Sequence, residues 1–341
     1  MVSKKLKIFN FESEFLKLIK ITVSFVFSIY FVLYYYQTFN TQYKPNYYTI
    51  ETYGPLETSP VTVISVFFQL NKSKHSNDKY KNWTRDFFLS VSSPLVIFTD
   101  KSSIKNLLEL RNKLQLRTRI YIMNNIWQVM LENEQMRKRN YTQNYLFKQQ
   151  SLDREKNFHN PNLYAIWNLK SFIADKIATD NFYKSSTFIY SDSGAWRYGI
   201  IEDWPDQNVV MKLTNILSDK ILLGQLRHEK KAFKRKSKYP DLDLIEGGFF
   251  MGSQKALRHF NEEFWRIHDD RIDKGLFVGK DQVLMNIYAY NMSNSVKLDI
   301  WRKNCFSNLN KWFFYQNFLA SNKYYPCDGK RESLLSINRD L

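Results

Sequence analysis

The chain has 341 residues, of which 44% are hydrophobic and 17% aromatic, so it carries enough apolar material for the core of one large domain and is too apolar for a disordered chain. Ten glycines and eight prolines, with no period along the sequence, exclude collagen-like and solenoid proteins. The formal net charge of +17 attracts anions, whether nucleotide diphosphates, acidic glycans, lipid headgroups or nucleic acid, without choosing among them.

The first predicted element is a transmembrane helix over residues 16–36. Residues 19–36 read IKITVSFVFSIYFVLYYY, an apolar run that is interrupted only by Lys20. With the leucines before it, the run reaches the roughly 20 residues that a bilayer span requires. A cleaved signal peptide is disfavoured because the following QTFNTQ has no small-x-small site. A buried helix of the globular part is disfavoured because a polar stretch separates the run from the first strand-like segment.

The charges beside this helix predict its orientation. Five lysines lie before or near the start of the apolar run, namely Lys4, Lys5, Lys7, Lys17 and Lys20, whereas only Lys44 lies between the run and Glu51. The positive-inside rule therefore keeps the tail of residues 1–15 in the cytosol. The polar residues 37–60 then form a stem, and the rest of this type II membrane protein lies in the lumen of the Golgi or the endoplasmic reticulum. In that compartment four sequons are candidate glycosylation sites: Asn71, Asn82, Asn140 and Asn291.

Strand-like and helix-like patterns alternate after the stem. Residues 61–70, residues 94–100 and Thr118–Met123 are β-branched or aromatic runs typical of buried strands. Residues 80–91 and 102–116, which lie between them, have apolar positions at helical spacing. This βαβαβ order predicts an α/β, Rossmann-like fold in which helices cover a mostly parallel sheet and ligands bind beyond the carboxyl ends of the strands.

The remaining elements continue without a linker, so we expect one domain over residues 61–341. A polar, helix-rich insertion covers residues 124–160, and an amphipathic helix follows from Leu163. The later elements are strands at residues 186–191 and 244–252 and helices at residues 255–267 and 280–290. The basic residues 227–238 (RHEKKAFKRKSK) form either a solvated loop or a loop that closes over a diphosphate or an acidic acceptor.

The segment FIYSDSGAWR places a carboxylate at the end of a strand. The hydrophobic run ends at Ser191 and delivers Asp192 into a glycine-containing turn. A carboxylate there can hold a divalent cation or a ribose hydroxyl, and Arg197 can meet a diphosphate. An ordinary turn, in which Asp192 precedes Gly194, explains the same residues, so both interpretations stay open.

Two further segments have the composition of a binding cleft. In EGGFFMGS, Gly247 and Gly248 interrupt an aromatic strand, as happens at a bulge or where a ligand approaches the backbone closely. In GKDQVLMN, Asp281 and Gln282 begin a helix. Asp281 is either an N-terminal helix cap or a carboxylate that faces a sugar or an acceptor.

Six blocks, in this order, resemble those of the HtrL/YibB family of proposed glycosyltransferases: KYKNWTRDFFL, PLVIFTD, LYAIWNLK, FIYSDSGAWR, EGGFFMGS and GKDQVLMN. The match runs from about Val61 to the C-terminal region, which is most of the chain outside the predicted anchor and stem. The resemblance implies a GT-A-like fold and a transferase that takes its sugar from a nucleotide-sugar donor.

The same blocks are similar, more distantly, to the glycogenin-like retaining transferases. In those enzymes an Asp-x-Asp after a strand holds the nucleotide and a manganese ion, a glycine-containing strand lines the acceptor side, and an Asp-Gln pair approaches the donor sugar. The likeness assigns Asp192 to the first Asp, as a ligand of Mn²⁺ or Mg²⁺. It assigns Gly247 and Gly248 to the glycine strand and gives Asp281 and Gln282 the catalytic positions.

Two departures from that pattern concern the metal. Gly194 stands where the second Asp would be, and the C-terminal histidine of the metal shell has no counterpart, since the last histidine is His268. Positive charge for the departing diphosphate then comes from a metal ion at Asp192 or from Arg197 and Lys170, because negative charge develops on the leaving group. Lys170 is otherwise a solvated helix residue, which is the commoner situation for a lysine.

We therefore expect a membrane-anchored glycosyltransferase, with the retaining outcome that the glycogenin likeness implies. Its partners are a nucleotide sugar, a glycan, glycoprotein or glycolipid acceptor, and the membrane. A membrane-anchored carbohydrate-binding protein or inactive transferase is the alternative, motivated by the missing second Asp. Nucleic-acid binding rests on charge alone and is not expected. The two cysteines, Cys305 and Cys327, exclude a four-cysteine zinc site and form either one disulfide or two separate thiols.

Overall fold

The computed structural model describes residues 15, 22–24, 26–30, 48–70, 75–132, 143–227, 242–291, 294–299 and 311–337. The chain divides into two compact units, Met1–Asn46 and Tyr47–Leu341.

In the described part of the chain, no helix is long and apolar enough to cross a membrane. Most of the predicted transmembrane helix, residues 16–36, lies outside the described residues. The same is true of the cytosolic tail, of which only Phe15 is described, and of the first part of the predicted stem. The anchor and its orientation therefore stay predictions.

The second unit is built on a mixed sheet of nine strands. The strands are β1 (Thr49–Tyr53), β2 (Val61–Phe67), β3 (Leu95–Asp100), β4 (Thr118–Met123), β5 (Thr187–Ser191), β6 (Ile221–Gln225), β7 (Ile245–Gly252), β8 (Ser295–Asp299) and β9 (Leu335–Ile337). Their order across the sheet is β1-β4-β3-β2-β5-β7-β6-β8-β9.

The two halves of this sheet differ in strand direction. β4, β3, β2 and β5 run parallel to one another, as the βαβαβ pattern predicts. β7 lies antiparallel between β5 and β6, β8 is parallel to β6, and the edge strands β1 and β9 are antiparallel to their neighbours. The α/β class is confirmed, with a mixed sheet in place of the mostly parallel one that the sequence predicts. The arrangement is consistent with a Rossmann-like fold.

Helices cover both faces of the sheet. They are α1 (Asn77–Ser90), α2 (Lys101–Lys113), α3 (Trp127–Glu132), α4 (Gln143–Leu152), α5 (Pro161–Asp180), α6 (Gln207–Leu217), α7 (Gln254–Asp273), α8 (Asp281–Asn291) and α9 (Phe314–Phe318). One hydrophobic cluster joins the sheet to α5, α7 and α8, and the other joins it to α1, α6 and α9. Adjacent residues of one strand, such as Ile189 and Tyr190 of β5, enter different clusters because successive side chains point to opposite faces.

The longest helix beside the site, α5, has clear start and stop signals. The side chain of Asn160 accepts a hydrogen bond from the backbone N–H of Leu163 at 3.0 Å, and Pro161 occupies the first position. Asn181 ends the helix in the left-handed conformation, with φ of 37°. These signals fix the register of α5 and therefore the place of Lys170 along it.

The sequence does not predict β1, α6, β6, β8 or β9. β1 lies within the predicted stem, where its polar sequence TIETY forms a half-exposed edge strand on β4. In β8 (SVKLD), Lys297 and Asp299 are buried although their charges suggest a loop. Short or charged strands of this kind acquire their conformation from their neighbours rather than from a hydrophobic pattern.

The predicted elements are confirmed with shifted ends. β2 ends at Phe67, so the last residues of the predicted strand form loop at the edge of the site. α7 continues to Asp273, beyond the predicted end at residue 267, through a charged final stretch. Residues 228–238 of the basic stretch lie outside the described residues. Cys327 is disulfide-bonded, and the other cysteine, Cys305, also lies outside them.

Candidate active site

A large cavity opens where the carboxyl ends of β2 and β5 meet the starts of β7 and α8. Its volume is about 1190 Å³, which suits a small-molecule or cofactor cleft. All seven residues that the sequence singles out line this one cavity: Lys170, Asp192, Arg197, Gly247, Gly248, Asp281 and Gln282. Asp192 follows the carboxyl end of β5, and β7 begins at the same edge of the sheet because it runs antiparallel to β5.

Asp192 directly follows β5 and is fixed by three hydrogen bonds. Its backbone N–H donates to the carbonyl of Gly248 at 2.9 Å, its Oδ1 accepts from the hydroxyl of Tyr190 at 2.9 Å, and its Oδ2 accepts from Nζ of Lys170 at 3.0 Å. The side chain makes no capping bond to the 3₁₀ turn that follows, Ser193–Ala195. Turn formation alone therefore does not account for this carboxylate, which stays 35% exposed.

Lys170 is the buried cation of the site. It is 3% exposed, so its interpretation as a solvated helix residue is wrong. Besides the bond to Asp192, its Nζ donates to the carbonyl of Gly247 at 2.9 Å and lies 2.9 Å from Oδ2 of Asp281. Burial alone would lower the pKa of this lysine, but the two carboxylates outweigh burial and raise the pKa. Lys170 is therefore protonated and links two aspartates.

Asp281 and Gln282 form the first residues of α8. One oxygen of Asp281, Oδ1, accepts from the backbone N–H of the next residue, Gln282, at 2.8 Å, and the other faces Lys170. Burial raises the pKa of Asp281, against the opposing influence of Lys170. The side-chain amide of Gln282 donates to the carbonyl of Ile245 at 2.8 Å and so fastens α8 to β7.

Gly247 and Gly248 bring the backbone of β7 close to these side chains. A Cβ at Gly247 would lie 2.8 Å from Cγ of Gln282 and 2.9 Å from Oδ1 of Asp281. A Cβ at Gly248 would lie 3.3 Å from Oδ2 of Asp192. The register between β6 and β7 also shifts along this stretch. The sequence leaves a bulge and a close approach to the backbone as alternatives, and the structure has both an irregular strand and side chains that lie close to the glycine backbone.

Arg197 is an exposed cation held between two aromatic rings. Its guanidinium carbon lies 4.4 Å from the ring centroid of Trp83 and 4.7 Å from that of Phe313. Cation–π contacts of this kind restrict the side chain without using its N–H groups. Those N–H groups have the planar arrangement that suits phosphate oxygens.

Gly194 packs against the ring of Tyr80. A Cβ at Gly194 would lie 3.2 Å from Cε1 of that ring, so a carboxylate here would crowd the tyrosine. In the parts of the chain that the structure describes, no group of three or more His, Cys, Asp or Glu side chains gathers as metal ligands would. Asp192 as a metal ligand therefore stays a prediction.

Glu246 is a lining residue that sequence reasoning missed. It is 1% exposed, and neither carboxyl oxygen has a hydrogen-bond partner among the described residues. Burial and the charge of Asp192 raise its pKa well above the usual value, although Lys170 opposes them. The available signal is an acidic residue inside a hydrophobic strand, immediately before two glycines.

The cavity continues along α5 toward the first residues of that helix, and we call this part the second arm. Phe158, His159, Trp167 and Lys280 line it. Nδ1 of His159 lies 2.8 Å from Oδ2 of Asp153, and the His159 ring packs edge-on against Trp167 with centroids 4.9 Å apart. Ring faces beside fixed polar groups are typical of pockets for small organic ligands, and the sequence does not predict this arm.

Comparison with known proteins finds no family model that matches the chain and no curated protein with a significant match. The resemblance to the HtrL/YibB family thus rests on the six sequence blocks, and the case for function rests on the cavity.

Proposed function

We propose that the chain is a nucleotide-sugar-dependent glycosyltransferase with a GT-A-like domain, which transfers a sugar to a glycan, glycoprotein or glycolipid acceptor. One observation carries this proposal. A cavity at the strand ends contains a buried lysine that links Asp192, after β5, to Asp281, at the start of α8. The cavity has room for a nucleotide and a sugar ring together, and the mixed α/β sheet agrees with a GT-A-like domain.

The nucleotide lies over the ends of β2 and β3 in this proposal. The lining there combines the ring of Phe68 with the polar side chains of Gln69, Ser102 and Ser103. A ring face beside amide and hydroxyl groups suits a base and a ribose. Asp192, farther along the same edge, is close enough to the strand ends to bind a ribose hydroxyl or the diphosphate region.

Arg197 is the cation that contacts the departing diphosphate. It is exposed to the cavity, and its aromatic neighbours leave the guanidinium N–H groups available. Fixed positive charge lowers the barrier because the leaving group becomes more negative in the transition state. The aromatic rings reduce the conformational freedom that Arg197 would otherwise lose on binding.

Lys170 acts through the two aspartates rather than by direct contact. Its ammonium group already faces Asp192, Asp281 and the carbonyl of Gly247. Without it, two carboxylates would repel an incoming diphosphate and resist burial. Lys170 is therefore a positioning residue that makes the site tolerant of an anionic donor.

Asp281 and Gln282 face the donor sugar. Asp281 is buried and ion-paired, so its free lone pairs have a fixed direction toward the anomeric carbon or the acceptor hydroxyl in this arrangement. The second arm of the cavity then receives the acceptor, where Phe158 and Trp167 offer ring faces for a sugar. No step of this proposal needs a protein-held metal, although a divalent ion carried by the diphosphate is compatible with it.

The test uses the purified full chain and a panel of nucleotide sugars, each with and without manganese. The expected result is release of nucleoside diphosphate from at least one donor and sugar incorporation into a glycan acceptor, both lost in Asp192→Asn. Binding of a donor without release or transfer would favour the carbohydrate-binding alternative. A folded protein that binds none of the donors would contradict the proposed function.

The membrane anchor at residues 16–36 and the luminal location of the domain belong to the same proposal and rest on the sequence. Alkaline extraction of membranes and protease protection in sealed vesicles test them. We expect the chain to stay with the membrane pellet and the domain to resist protease until the vesicles are opened. Release by alkali, or cleavage of the domain in sealed vesicles, would contradict this topology.

A further inference from the structure

Glu246 is a buried carboxyl group in the cavity that the reaction described above does not use. Neither Oε1 nor Oε2 has a hydrogen-bond partner among the described residues, whereas Asp192 and Asp281 both pair with Lys170. A buried carboxyl group without partners destabilises the folded chain. Such a group in the wall of a cavity indicates a partner that arrives with the ligand.

The position of Glu246 decides which part of a ligand it meets. A Cβ at Gly248 would lie 3.4 Å from Oε1 of Glu246 and 3.3 Å from Oδ2 of Asp192. The two carboxyl groups therefore face the same small space above the Cα atom of Gly248. With the diphosphate near Asp192 and Arg197, that space is filled by the group bonded directly to the diphosphate, which is the sugar.

We propose that Glu246 binds hydroxyl groups of the transferred sugar and thereby selects the donor. This inference rests on the proposed function and adds a specificity-determining residue to it. A carboxyl group accepts hydrogen bonds from sugar hydroxyls in either protonation state, and the ionised form accepts from two neighbouring hydroxyls. A sugar that lacks such a hydroxyl is rejected because it leaves the buried carboxyl group unpaired.

Calorimetric titration of the full chain tests the proposal. The probes are UDP and GDP, and their conjugates with glucose, galactose, N-acetylglucosamine, mannose and fucose. For the conjugate that the wild type binds best, Glu246→Gln should weaken the affinity about tenfold or more, because the amide keeps one acceptor oxygen and replaces the second with an NH₂ donor that no longer accepts from a sugar hydroxyl. Affinity for the corresponding bare diphosphate should change less than about threefold, since Glu246 does not touch it.

Glu263→Gln is the matched control. Glu263 lies on α7, where it pairs with Arg266 at 2.8 Å, and it does not line the cavity. Both affinities should stay at wild-type values in this variant.

Three outcomes would overturn the inference. Equal weakening of conjugate and bare diphosphate would assign Glu246 to the nucleotide, and unchanged affinity for both would remove it from binding. Absence of binding to every probe by the wild type would contradict the proposed function and this inference with it. That result is distinguishable because it is obtained before any variant is compared.

Thermal unfolding separates a ligand role from a structural one. Since Glu246 has no partner in the described part of the free protein, Glu246→Gln and Glu246→Leu should unfold at or above the wild-type temperature. A lower unfolding temperature in both variants, or failure of both to fold, would show that Glu246 supports the fold and would overturn the inference.

Discussion

Arg111 and Lys170 are both buried cations, but the protein satisfies them in different ways. The guanidinium of Arg111 donates to the carbonyls of Phe88 and Val91 at 2.7 and 2.8 Å, to that of Arg117 at 3.1 Å, and to Oγ1 of Thr118 at 2.6 Å. Its partners are thus neutral. Burial lowers its pKa to about 9, which still leaves it charged at neutral pH.

Lys170, in contrast, faces two carboxylates at the wall of an open cavity, and one of these carboxylates stays partly exposed. A cation enclosed by fixed dipoles ties α1, α2 and β4 together, and Arg111 is fully buried, so a ligand does not reach it. A cation that neutralises carboxylates in the wall of a cavity allows an anionic ligand to bind there. In this protein a buried charged side chain therefore indicates function only where it lies beside an open cavity and its partners can also bind a ligand.

Replacement of Arg111 should have the largest effect on stability. Arg111→Met leaves the buried carbonyls of Phe88 and Val91 without their donor and removes one bond each from the Arg117 carbonyl and the Thr118 hydroxyl, so we expect a loss of about 3–5 kcal/mol in the free energy of unfolding. Urea denaturation measures this loss. Arg266→Met, which removes an exposed arginine from α7, is the control and should change stability by less than about 0.5 kcal/mol. Similar stabilities for the two variants would contradict the structural role of Arg111.

Replacement of Lys170 should instead affect turnover most. Lys170→Met keeps the length of the side chain but leaves Asp192 and Asp281 without a cation, so the site repels a diphosphate. We expect transfer to fall about 10²- to 10³-fold, the usual cost of losing one electrostatic group at a reacting centre. Lys170→Arg should be intermediate, because a planar guanidinium does not fit a space shaped for an ammonium group. Transfer by Lys170→Met within about threefold of wild type would separate this lysine from the chemistry.

The two glycines of β7 allow a finer comparison within the site. An added Cβ at Gly247 would meet Gln282 and Asp281 at 2.8 and 2.9 Å, whereas one at Gly248 would meet Asp192 at 3.3 Å. Gly247→Ala must displace the side chains of Gln282 and Asp281, and a displacement of that kind can reduce the rate up to about 10²-fold. Gly248→Ala should cost only a few-fold. Steady-state kinetics on both variants checks the order, and a larger loss in Gly248→Ala would contradict the geometry.

The smallest expected effect is a pH dependence that comes from Glu246. Burial raises its pKa above the ordinary value of 4.5, so the folded chain holds this proton more tightly than the unfolded chain. The resulting stabilisation is complete below pH 4.5 and is lost as pH rises through the folded pKa. Glu246→Gln should therefore gain stability relative to wild type from acid to neutral pH in urea denaturation. A difference that does not vary with pH would contradict the raised pKa.

The parallel half of the sheet could be predicted from the sequence because its strands are buried on both faces. β2, β3 and β5 read as continuous apolar runs and were identifiable within a few residues. β8 and the edge strand β1 were not identifiable, since β8 contains Lys297 and Asp299 and β1 is polar. Their conformation depends on pairing with strands that are distant in the chain, which a local pattern does not reveal.

The sequence predicts which residues belong to the site but not the contacts between their side chains. Strand ends and glycines pointed to Asp192, Gly247 and Asp281, and the structure brings them to one cavity. Nothing in the sequence indicates that Lys170 is buried between two carboxylates, because that depends on the packing of α5 against β2, β5 and α8. Glu246 was missed for the same reason, since an unpaired carboxyl group is recognisable only when its surroundings are known.

The central claim is that the cavity around Lys170, Asp192 and Asp281 is the site of sugar transfer. Release of nucleoside diphosphate from nucleotide sugars, compared between wild type and Asp281→Asn, tests it most directly. The asparagine in this variant keeps the shape of the side chain and an oxygen for the helix start, so the account predicts retained folding with release reduced about 100-fold or more. Release by Asp281→Asn at the wild-type rate would contradict the claim.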